Sequence, residues 1–496
     1  MVIISTNQGK IIGIQQLDHQ CFLGIPYAKP PIDDLRFYEP QPMDPWDDVK
    51  DATKFRPIAP QNHIDSTPIG QDENEDCLYL NIWTPRADEK ARPVMFWIHG
   101  GGFLIGAGSR PRLNGGTLAS YGDVVVVTFN YRLGALGFLD LPNIPPNIGI
   151  QDQIAALRWV RKNIHAFGGD PNNITIFGES SGSESVVILL SLPVTKGLFH
   201  NAIMQSGVAN PLSYNRELTR KGSSKLVSKL HINRENIRAL RNVQISKLIR
   251  IQKKIAGNIT DEKENPFRPF VDGVIIPEKP YELIQKGKAS KIPLMIGWNE
   301  DELGIIVNFL NQVDDERKKA IIGIIRNRIR IYGVTDDKIT ELVKKYKQIM
   351  KAKYPDNLYK HWDAILSHAM FGIPTIRQLE MHLKYQSNVF CYIFTYKSSK
   401  YGGAYHTFEI PFVFGTFKTA DIPEGAIDSI GEAETVAKIM MDTWVSFART
   451  GNPNHKDLPE WPPYDIQKRA TMMLGVCPKV DFAPMNQFRK VWADIV

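Results

Sequence analysis

Six short apolar runs recur along this chain, and segments with helical spacing lie between several of them. The runs are Val94–Ile98, Val124–Phe129, Ile174–Phe177, Ala202–Met204, Pro293–Ile296 and Val389–Tyr396. A continuous apolar run of this length is typical of a strand that is buried on both faces of a parallel sheet. The segment Gln153–Ile164 has a 3.6-residue apolar period, and Glu184–Leu190 suits a short helix that Pro193 closes. The pattern therefore predicts an α/β fold with a mostly parallel central sheet.

Composition and charge exclude several classes of protein. Of the 496 residues, 43% are hydrophobic and 23% are charged, which are the proportions of a folded globular chain and not of a disordered or fibrous one. Lys and Arg number 60 against 53 Asp and Glu, an excess too diffuse to indicate a nucleic-acid partner. Because no window contains 18 consecutive apolar residues, we expect no membrane span.

The lack of linker-like segments in the sequence favours one domain. No Ser/Gly-rich linker or charge block divides the sequence, so we expect a single domain over residues 1–496. The Lys-, Arg- and Ile-rich stretch from Asp315 to Pro355 has helical spacing and predicts a peripheral helical region around 305–385. The segment Met1–Gln15 has the pattern of two strands around Gly9 and lacks the features of a signal peptide. We therefore expect it to be mature structure.

A Gly-x-Ser-x-Gly pattern follows the third apolar run directly. It spans Gly178–Gly182 and precedes the helical segment, so Ser180 falls at a strand-to-helix turn. In this context the turn holds the serine side chain exposed, and glycine on either side allows the neighbouring backbone to pass closely. Ser180 is the candidate nucleophile of an acyl-transfer reaction.

A second glycine-rich segment, His99–Phe103, ends the first apolar run. Consecutive glycines leave backbone N–H groups unshielded, and an acyl-transfer enzyme needs such donors for the oxygen that becomes negative in the tetrahedral intermediate. We expect the N–H groups of Gly101, Gly102 and Ser181 to supply this oxyanion hole.

The remaining partners of a serine nucleophile are an acid and a histidine, in that chain order for this fold. Many carboxylates follow Ser180, so the residues alone leave the acid open. Three of the eleven histidines fall in a helical stretch, namely His361, His368 and His382. His406 instead follows the last apolar run, and an imidazole there can take the serine proton and return it to the leaving alcohol. His406 is the candidate base.

Seven ordered motifs, spread over almost the whole chain, resemble those of a known family. They are Phe22–Ala28, Glu75–Asn81, His99–Phe103, Phe129–Gly134, Phe167–Pro171, Gly178–Gly182 and Trp444–Pro453. The chain resembles the type-B carboxylesterases, the α/β-hydrolases that include cholinesterases, bacterial nitrobenzyl esterases and some fungal lipases. The resemblance implies an α/β-hydrolase fold with helical insertions over the active site.

The resemblance also implies which acid serves the histidine. The segment Gly297–Leu303 is similar to the family's G-x-N-x-D-E-G, whose Glu is the triad acid. That position is Glu302 here, with Asp301 as the alternative. The family's following Gly is Leu303 in this chain, with Gly304 one step later. The loop before Glu409–Gly415 is similar to the family's catalytic histidine loop and supports His406.

Two structural ion pairs are implied by the same resemblance, Arg36 with Glu75 and Arg132 with Asp170. In secreted relatives the cysteine at Cys77 pairs with one that stands two residues before a Gln, but Ala59 occupies that place here. We therefore expect four free thiols and a cytoplasmic protein.

The expected function is a serine carboxylesterase that hydrolyses small-molecule esters through an acyl-enzyme, without a metal or other cofactor. Two alternatives remain at this point: a lipase that acts on longer-chain esters at interfaces, and a non-catalytic binding protein of the same fold. The filled triad positions argue against the second. The sequence leaves the acyl preference and the oligomeric state open.

Overall fold

The structure is a computed structural model, and it describes most of the chain. The described residues are 1–62, 71–208, 214–256, 265–289, 291–305, 322–323, 326, 329–330, 334–352, 354, 357–419 and 421–494. They fall into two compact units. The first unit comprises Met1–Ile203 and Ser213–Ser290, and the second comprises Met204–Leu212 and Lys291–Val496. The single domain expected over 1–496 stays a prediction.

The first unit contains a mixed sheet. Its strands are β1 (Val2–Ser5), β2 (Lys10–Gln15), β3 (Gln20–Pro26), β4 (Lys50–Asp51), β5 (Tyr79–Thr84), β6 (Arg92–Ile98), β7 (Val125–Phe129) and β8 (Gly169–Glu179). The order is β1-β2-β3-β5-β7-β6-β8, with β4 beside β2. Pairing is antiparallel from β1 to β7, whereas β6 runs parallel to both β7 and β8. Because β6 and β7 are buried along their whole length, they consist almost entirely of apolar residues.

Helices of the first unit connect and cover these strands. They are α1 (Gly116–Gly122), α2 (Gly134–Gly137), α3 (Ile148–Asn163), α4 (Ser181–Ser191), α5 (Arg216–Leu230), α6 (Ile237–Arg241), α7 (Ile245–Ala256) and α8 (Pro280–Gln285). Helices α5 and α7 place Leu226 and Leu248 in one apolar cluster that also contains Leu104. This cluster anchors the segment that follows the glycine-rich loop.

The chain passes from the first unit to the second within strand β9 (Asn201–Gln205). The other strands of the second unit are β10 (Leu294–Asn299), β11 (Val389–Phe394), β12 (Ala470–Leu474) and β13 (Lys479–Phe482). Strands β10, β11 and β12 are parallel neighbours, and β13 pairs with β12 in the antiparallel direction. Ser206, just after β9, donates its backbone N–H to the carbonyl of Gly297 in β10 at 2.9 Å.

Helices of the second unit are α9 (Asp336–Met350), α10 (Leu358–Ser367), α11 (Ile373–His382), α12 (Ile410–Val413), α13 (Ile430–Thr450) and α14 (Asn486–Ala493). One π-helical turn, His368–Gly372, lies between α10 and α11. Helices α9 to α11 fall in the region around 305–385 for which helices were predicted, and residues 306–321 of that region lie outside the described residues.

Each of the six apolar runs overlaps one of the strands β6 to β11, and the pattern around Gly9 correctly predicted the β1–β2 pair, whereas β3, β4, β5, β12 and β13 were not predicted. One predicted ion pair is wrong. Arg36 contacts Glu75 at 2.6 Å as expected, but Arg132 pairs with Asp152 of α3 at 2.6 Å and not with Asp170. The Asp152 side chain is fully buried and gives the buried guanidinium the counter-charge that it requires. Among the described residues, every helix is too short or too polar to cross a membrane.

Candidate active site

Ser180 occupies the turn that joins strand β8 to helix α4. Its backbone has φ 55° and ψ −125°, a conformation that residues with a side chain rarely adopt. A Cβ atom at Gly182 would lie 2.1 Å from the carbonyl oxygen of Ile98, and a Cβ at Gly178 would lie 2.7 Å from the same atom. Only glycine fits at either position because the end of β6 passes so closely. The strained turn therefore holds the partly exposed Ser180 side chain in place.

The glycine-rich loop after β6 passes directly beside this turn. A Cβ atom at Gly100 would lie 3.1 Å from the Cβ of Ser180. Gly101 and Gly102 have φ of 114° and 63°, in the region that favours glycine. The carbonyl of Gly102 accepts a hydrogen bond from the Asn265 side chain at 2.9 Å, which fixes the orientation of its peptide.

The N–H groups predicted for the oxyanion hole are available to donate hydrogen bonds to a ligand. Within the described part of the chain, the backbone N–H groups of Gly101, Gly102 and Ser181 donate no hydrogen bond. The Ser181 side chain accepts from the N–H of Phe103 at 3.3 Å, which ties the loop to the start of α4. Gly101 and Gly102 are partly exposed, so their N–H groups are open to a bound molecule. Their location beside Ser180 suits an oxygen that gains negative charge.

His99, at the start of the loop, has a structural role. It is buried, and its ring stacks on Tyr131 with 4.4 Å between ring centroids. The Tyr131 hydroxyl donates to the backbone carbonyl of His99 at 2.9 Å. Burial lowers the pKa of His99 to about 4, so this imidazole is neutral at physiological pH.

In the second unit the structure brings Glu302 and His406 together. Glu302 lies in the turn after β10, its side chain fully buried, and its Oε2 is 2.7 Å from Nδ1 of His406. Its Oε1 accepts the backbone N–H of Asn299 at 2.8 Å. The backbone N–H of His406 donates to the carbonyl of Glu302 at 3.0 Å, so both the main chains and the side chains of the two residues are joined. The imidazole is 31% exposed, which leaves it accessible to a reacting group.

The ring of His406 also contacts an aromatic side chain. Phe371 lies 5.1 Å away between ring centroids, with 33° between the ring planes. Phe371 belongs to the π-helical turn His368–Gly372. Such turns occur often at functional sites, and this one places an aromatic ring against the imidazole.

Asp301, the alternative acid, is engaged elsewhere. Its carboxylate pairs with Lys360 at 2.8 Å and with Lys397 at 3.5 Å. Burial disfavours the charged form, but the charges of Lys397 and Lys360 outweigh burial and hold the pKa of Asp301 below its usual range. Although Leu303 replaces the glycine of the family pattern, the Glu302 carboxylate still contacts His406. The next residue, Gly304, packs closely against Gly402, because a Cβ atom at Gly304 would lie 2.4 Å from the carbonyl oxygen of Gly402.

A further buried acid, Glu409, was not assigned a role from the sequence. Its Oε2 accepts from the Asn299 side chain at 2.7 Å, and its Oε1 accepts from Gln205 at 2.9 Å. Gln205 in turn accepts from the indole N–H of Trp444 at 3.0 Å. Burial and the nearby charge of Glu302 raise the pKa of Glu409. The signal available in the sequence was an acid placed immediately before the apolar segment Ile410–Phe414.

The three other histidines considered from the sequence are structural. His361, His368 and His382 are all buried. The ring of His368 contacts the Tyr346 hydroxyl at 2.9 Å, and that of His361 contacts the Tyr354 carbonyl at 3.0 Å. Burial lowers the pKa of His368 to about 3 and that of His382 to about 4. His368 and His382 are therefore neutral near physiological pH and are not suited to carry a proton there.

One group of side chains has the composition of a metal site. Among the described residues, ligand atoms of Asp442, His455 and Asp457 lie within 4.8 Å of one another. The ammonium group of Lys438 already contacts both carboxylates, at 3.0 Å from Asp442 and in direct contact with Asp457. The lysine supplies the positive charge that a metal ion would bring.

The described contacts thus assemble the predicted residues in two groups. Ser180, Ser181, Gly101 and Gly102 adjoin one another in the first unit, and Glu302 and His406 adjoin in the second. The first group combines a strained serine with unused N–H donors. The second combines a buried carboxylate with a partly exposed imidazole.

Comparison with known proteins gives a consistent result along the whole chain. The model of the carboxylesterase family matches residues 1–492. The para-nitrobenzyl esterase of Bacillus subtilis (strain 168) is 36% identical over 504 aligned residues, which cover 98% of each chain. Carboxylesterase 1E of Rattus norvegicus is 34% identical, over 95% of this chain and 90% of the relative.

Solved structures agree with these matches. A crystal structure of a Geobacillus stearothermophilus carboxylesterase at pH 6.2 superimposes with a TM-score of 0.86 at 34% identity, covering 99% of both chains. A para-nitrobenzyl esterase structure superimposes with a TM-score of 0.81 at 34% identity, again over 99% of both chains. The α/β-hydrolase fold predicted from the sequence is confirmed.

Proposed function

The chain belongs to the carboxylesterase family and is a carboxylic ester hydrolase, and from this premise we propose that Ser180 is its nucleophile. The enzyme cleaves esters through an acyl-enzyme intermediate, which requires a serine with a fixed and accessible side chain. The observation that carries the assignment is the strained backbone of Ser180 at the β8–α4 turn, between two glycines that no larger residue can replace. Strain of this kind persists where the surrounding structure holds a residue for its function.

The proposed cycle uses the residues of both groups. Oγ of Ser180 attacks the ester carbonyl carbon while His406 accepts the serine proton, and the carbonyl oxygen becomes negative. The N–H groups of Gly101, Gly102 and Ser181 stabilise that oxyanion. The intermediate then releases the alcohol, which takes its proton from His406 and leaves Ser180 acylated. Water then attacks the acyl carbon while His406 accepts its proton. His406 returns this proton to Oγ of Ser180 as the carboxylic acid leaves.

Glu302 is the proposed partner of the base. Its contact at 2.7 Å requires Nδ1 of His406 to carry a proton, so the other ring nitrogen is the one available for the serine proton. The buried carboxylate also stabilises the imidazolium that forms during the reaction. Asp301 does not suit this role because two lysines hold its carboxylate.

We further propose small-molecule esters as substrates and a cytoplasmic location. The location is supported by the cysteines, since Cys21, Cys77, Cys391 and Cys477 are all free. Protein disulfides are rare in reducing compartments.

The proposed nucleophile is tested by comparing two adjacent serines. Ser180→Ala should lower the rate of nitrophenyl acetate hydrolysis by about 10⁴-fold or more with an unchanged circular dichroism spectrum. Ser181→Ala keeps the backbone N–H of that residue and should lose no more than about tenfold. An organophosphonate should label Ser180 stoichiometrically, as located by peptide mapping. Comparable turnover by Ser180→Ala, or a label on another residue, would refute the assignment.

A further inference from the structure

A crevice in the second unit is lined by ten residues that do not include Glu302 or His406. It spans about 250 Å³, including the part that opens to solvent, and its enclosed part has room for one occupant of about the size of a water molecule. The residues that line it with polar groups are Trp298, Tyr464, Arg469, Thr471, Asn486 and Arg489. None of the ten lining residues is acidic. The crevice is therefore rich in donors and contains no carboxylate.

Two of its polar side-chain atoms are buried and unused. Tyr464 is only 2% exposed, and within the described part of the chain its hydroxyl has no hydrogen-bond partner. The Nε atom of Arg489 is also buried and has no hydrogen-bond partner within the described part of the chain. Buried polar groups normally have a partner, and leaving one without costs about 1–3 kcal/mol. These two donors indicate an occupant that accepts hydrogen bonds.

The charges around the crevice are unbalanced. Arg469 has a carboxylate partner, since its Nη1 lies 2.8 Å from Glu380. Arg489 donates from Nη2 to the side-chain oxygen of Asn486 at 3.1 Å, and no acidic side chain among the described residues pairs with it. One positive charge is therefore left without a counter-charge. Arg489 is half-buried, so an anion in the crevice would interact with its charge as well as with the two donors, whereas a water molecule would bind the donors alone.

Helix α14 adds to the positive potential. Its eight residues begin at Asn486, and Met485 at the N-cap provides no side-chain hydrogen bond to the first turn. Both residues line the crevice, so the positive end of the helix faces it. The N–H of Asn486 already donates to the carbonyl of Ala483 at 2.9 Å, so the helix acts on the crevice through its dipole and not through this N–H group.

We propose that this crevice binds one small monovalent anion, a halide or a short carboxylate, held by Arg489, the Tyr464 hydroxyl and the N-terminus of α14. The single unpaired guanidinium sets the charge of the ligand at minus one. The enclosed part of the crevice is about as large as a water molecule, so we expect it to admit a halide or the carboxylate end of a short acid and not a whole anion as large as gluconate. None of the residues proposed above for ester hydrolysis lines the crevice.

The experiment replaces sodium gluconate by sodium chloride or sodium acetate at a constant 200 mM total salt, on the full-length protein. Chloride should raise the melting temperature saturably by about 2–4 °C in the parent chain, because a ligand that binds the folded state stabilises it. The rise should disappear in Arg489→Gln. Lys490→Gln removes the same charge from the next position of α14, outside the crevice, and should keep the full rise.

A milder variant keeps the proposal testable if Arg489→Gln does not fold. Tyr464→Phe removes only the hydroxyl, so it should weaken chloride binding and raise the half-saturating chloride concentration several-fold. If acetate competes with chloride, the site binds short carboxylates as well as halides. If only chloride raises the melting temperature saturably, the site is specific for halides. A bromide-soaked crystal should show an anomalous peak beside Arg489. An unsaturable rise, or an equal rise in Arg489→Gln and Tyr464→Phe, would show that the crevice holds water and no anion.

Discussion

At the scale of single residues, the Glu409 carboxyl group joins the end of β10 to helix α13. It accepts from Asn299, whose backbone N–H also binds Glu302, and from Gln205, which binds Trp444. The described contacts connect Glu409 to His406 through Asn299 and Glu302. Its role in this arrangement is that of a positioning residue.

We expect Glu409→Gln to lower kcat by about tenfold or more while KM stays within about threefold. A glutamine offers one acceptor oxygen where two donors converge, so either Asn299 or Gln205 must lose its bond and the support of Glu302 loosens. Steady-state kinetics on nitrophenyl acetate measures the split between kcat and KM. Glu434→Gln, at an ion-paired glutamate on the exposed side of α13, is the control. An unchanged kcat in Glu409→Gln would show that the acid is structural only.

Residues differ in how far their roles could be predicted from the sequence. Ser180 could be predicted because glycines on both sides of a serine after a strand have one steric explanation, namely that a Cβ atom at Gly182 would lie 2.1 Å from the carbonyl oxygen of Ile98. The choice of Glu302 over Asp301 depended on resemblance, because both acids follow the same strand. Spacing carries no information on which of the two the lysines neutralise.

The partner of Arg132 and the role of Glu409 could not be predicted from the sequence. Arg132 was paired with Asp170, but a fully buried aspartate on α3, Asp152, is its partner. Glu409 was passed over because its partners Gln205 and Asn299 lie 204 and 110 positions away along the chain. Contacts of this range depend on tertiary packing and leave no local pattern.

At the scale of elements, apolar runs predicted strands well but not their bounds. Strand β8 begins at Gly169, five residues before the apolar run, because Gly169 pairs with Arg92 although the intervening residues are polar. Strand β10 extends to Asn299 because Asn299 pairs with Phe394 of β11, and the buried side-chain NH2 group of Asn299 donates to Glu409 and to the Tyr405 carbonyl. Hydrogen-bond pairing decides where a strand ends, and hydrophobicity reports only its buried part.

Helix α10 carries a buried acid, Asp363, against the turn after β10. Its Oδ1 accepts the backbone N–H of Leu303 at 3.2 Å and the Ser367 hydroxyl at 3.1 Å. Burial and the charge of Asp301 raise the pKa of Asp363 to about 7, from an ordinary value of 3.8. Between these two pH values the folded chain holds a proton that the unfolded chain has lost. This group therefore makes the fold less stable as pH rises from about 4 to about 7.

We expect Asp363→Asn to remove that pH dependence. Asparagine keeps an acceptor for Leu303 and Ser367 but cannot ionise, so the stability of the variant relative to the parent should increase from pH 4.5 to 7.5 and then level off. Urea unfolding at four pH values in this range measures the difference. Asp337→Asn, at an exposed position of α9, should show no such trend. A constant difference for Asp363→Asn across the range would contradict the assignment.

At the scale of the whole molecule, the cysteines are distributed without cross-links. Cys21, Cys77 and Cys391 are buried and Cys477 is exposed, and all four are free. Two large hydrophobic units can supply stability without disulfides in a chain of this length.

The thiols can therefore be counted in two states of the same protein. Burial raises the pKa of Cys391 to about 12 and raises the pKa of Cys21 and Cys77 as well, so these three react slowly with a thiol reagent in the folded chain. Ellman's reagent should report about one thiol in the native protein, at Cys477, and four after denaturation without reductant. Cys477→Ser should lower each count by one. Dithiothreitol should leave the melting temperature unshifted, because no disulfide contributes to stability. Two or fewer thiols in the denatured, unreduced protein would show that a disulfide exists and would argue against the cytoplasmic location proposed above.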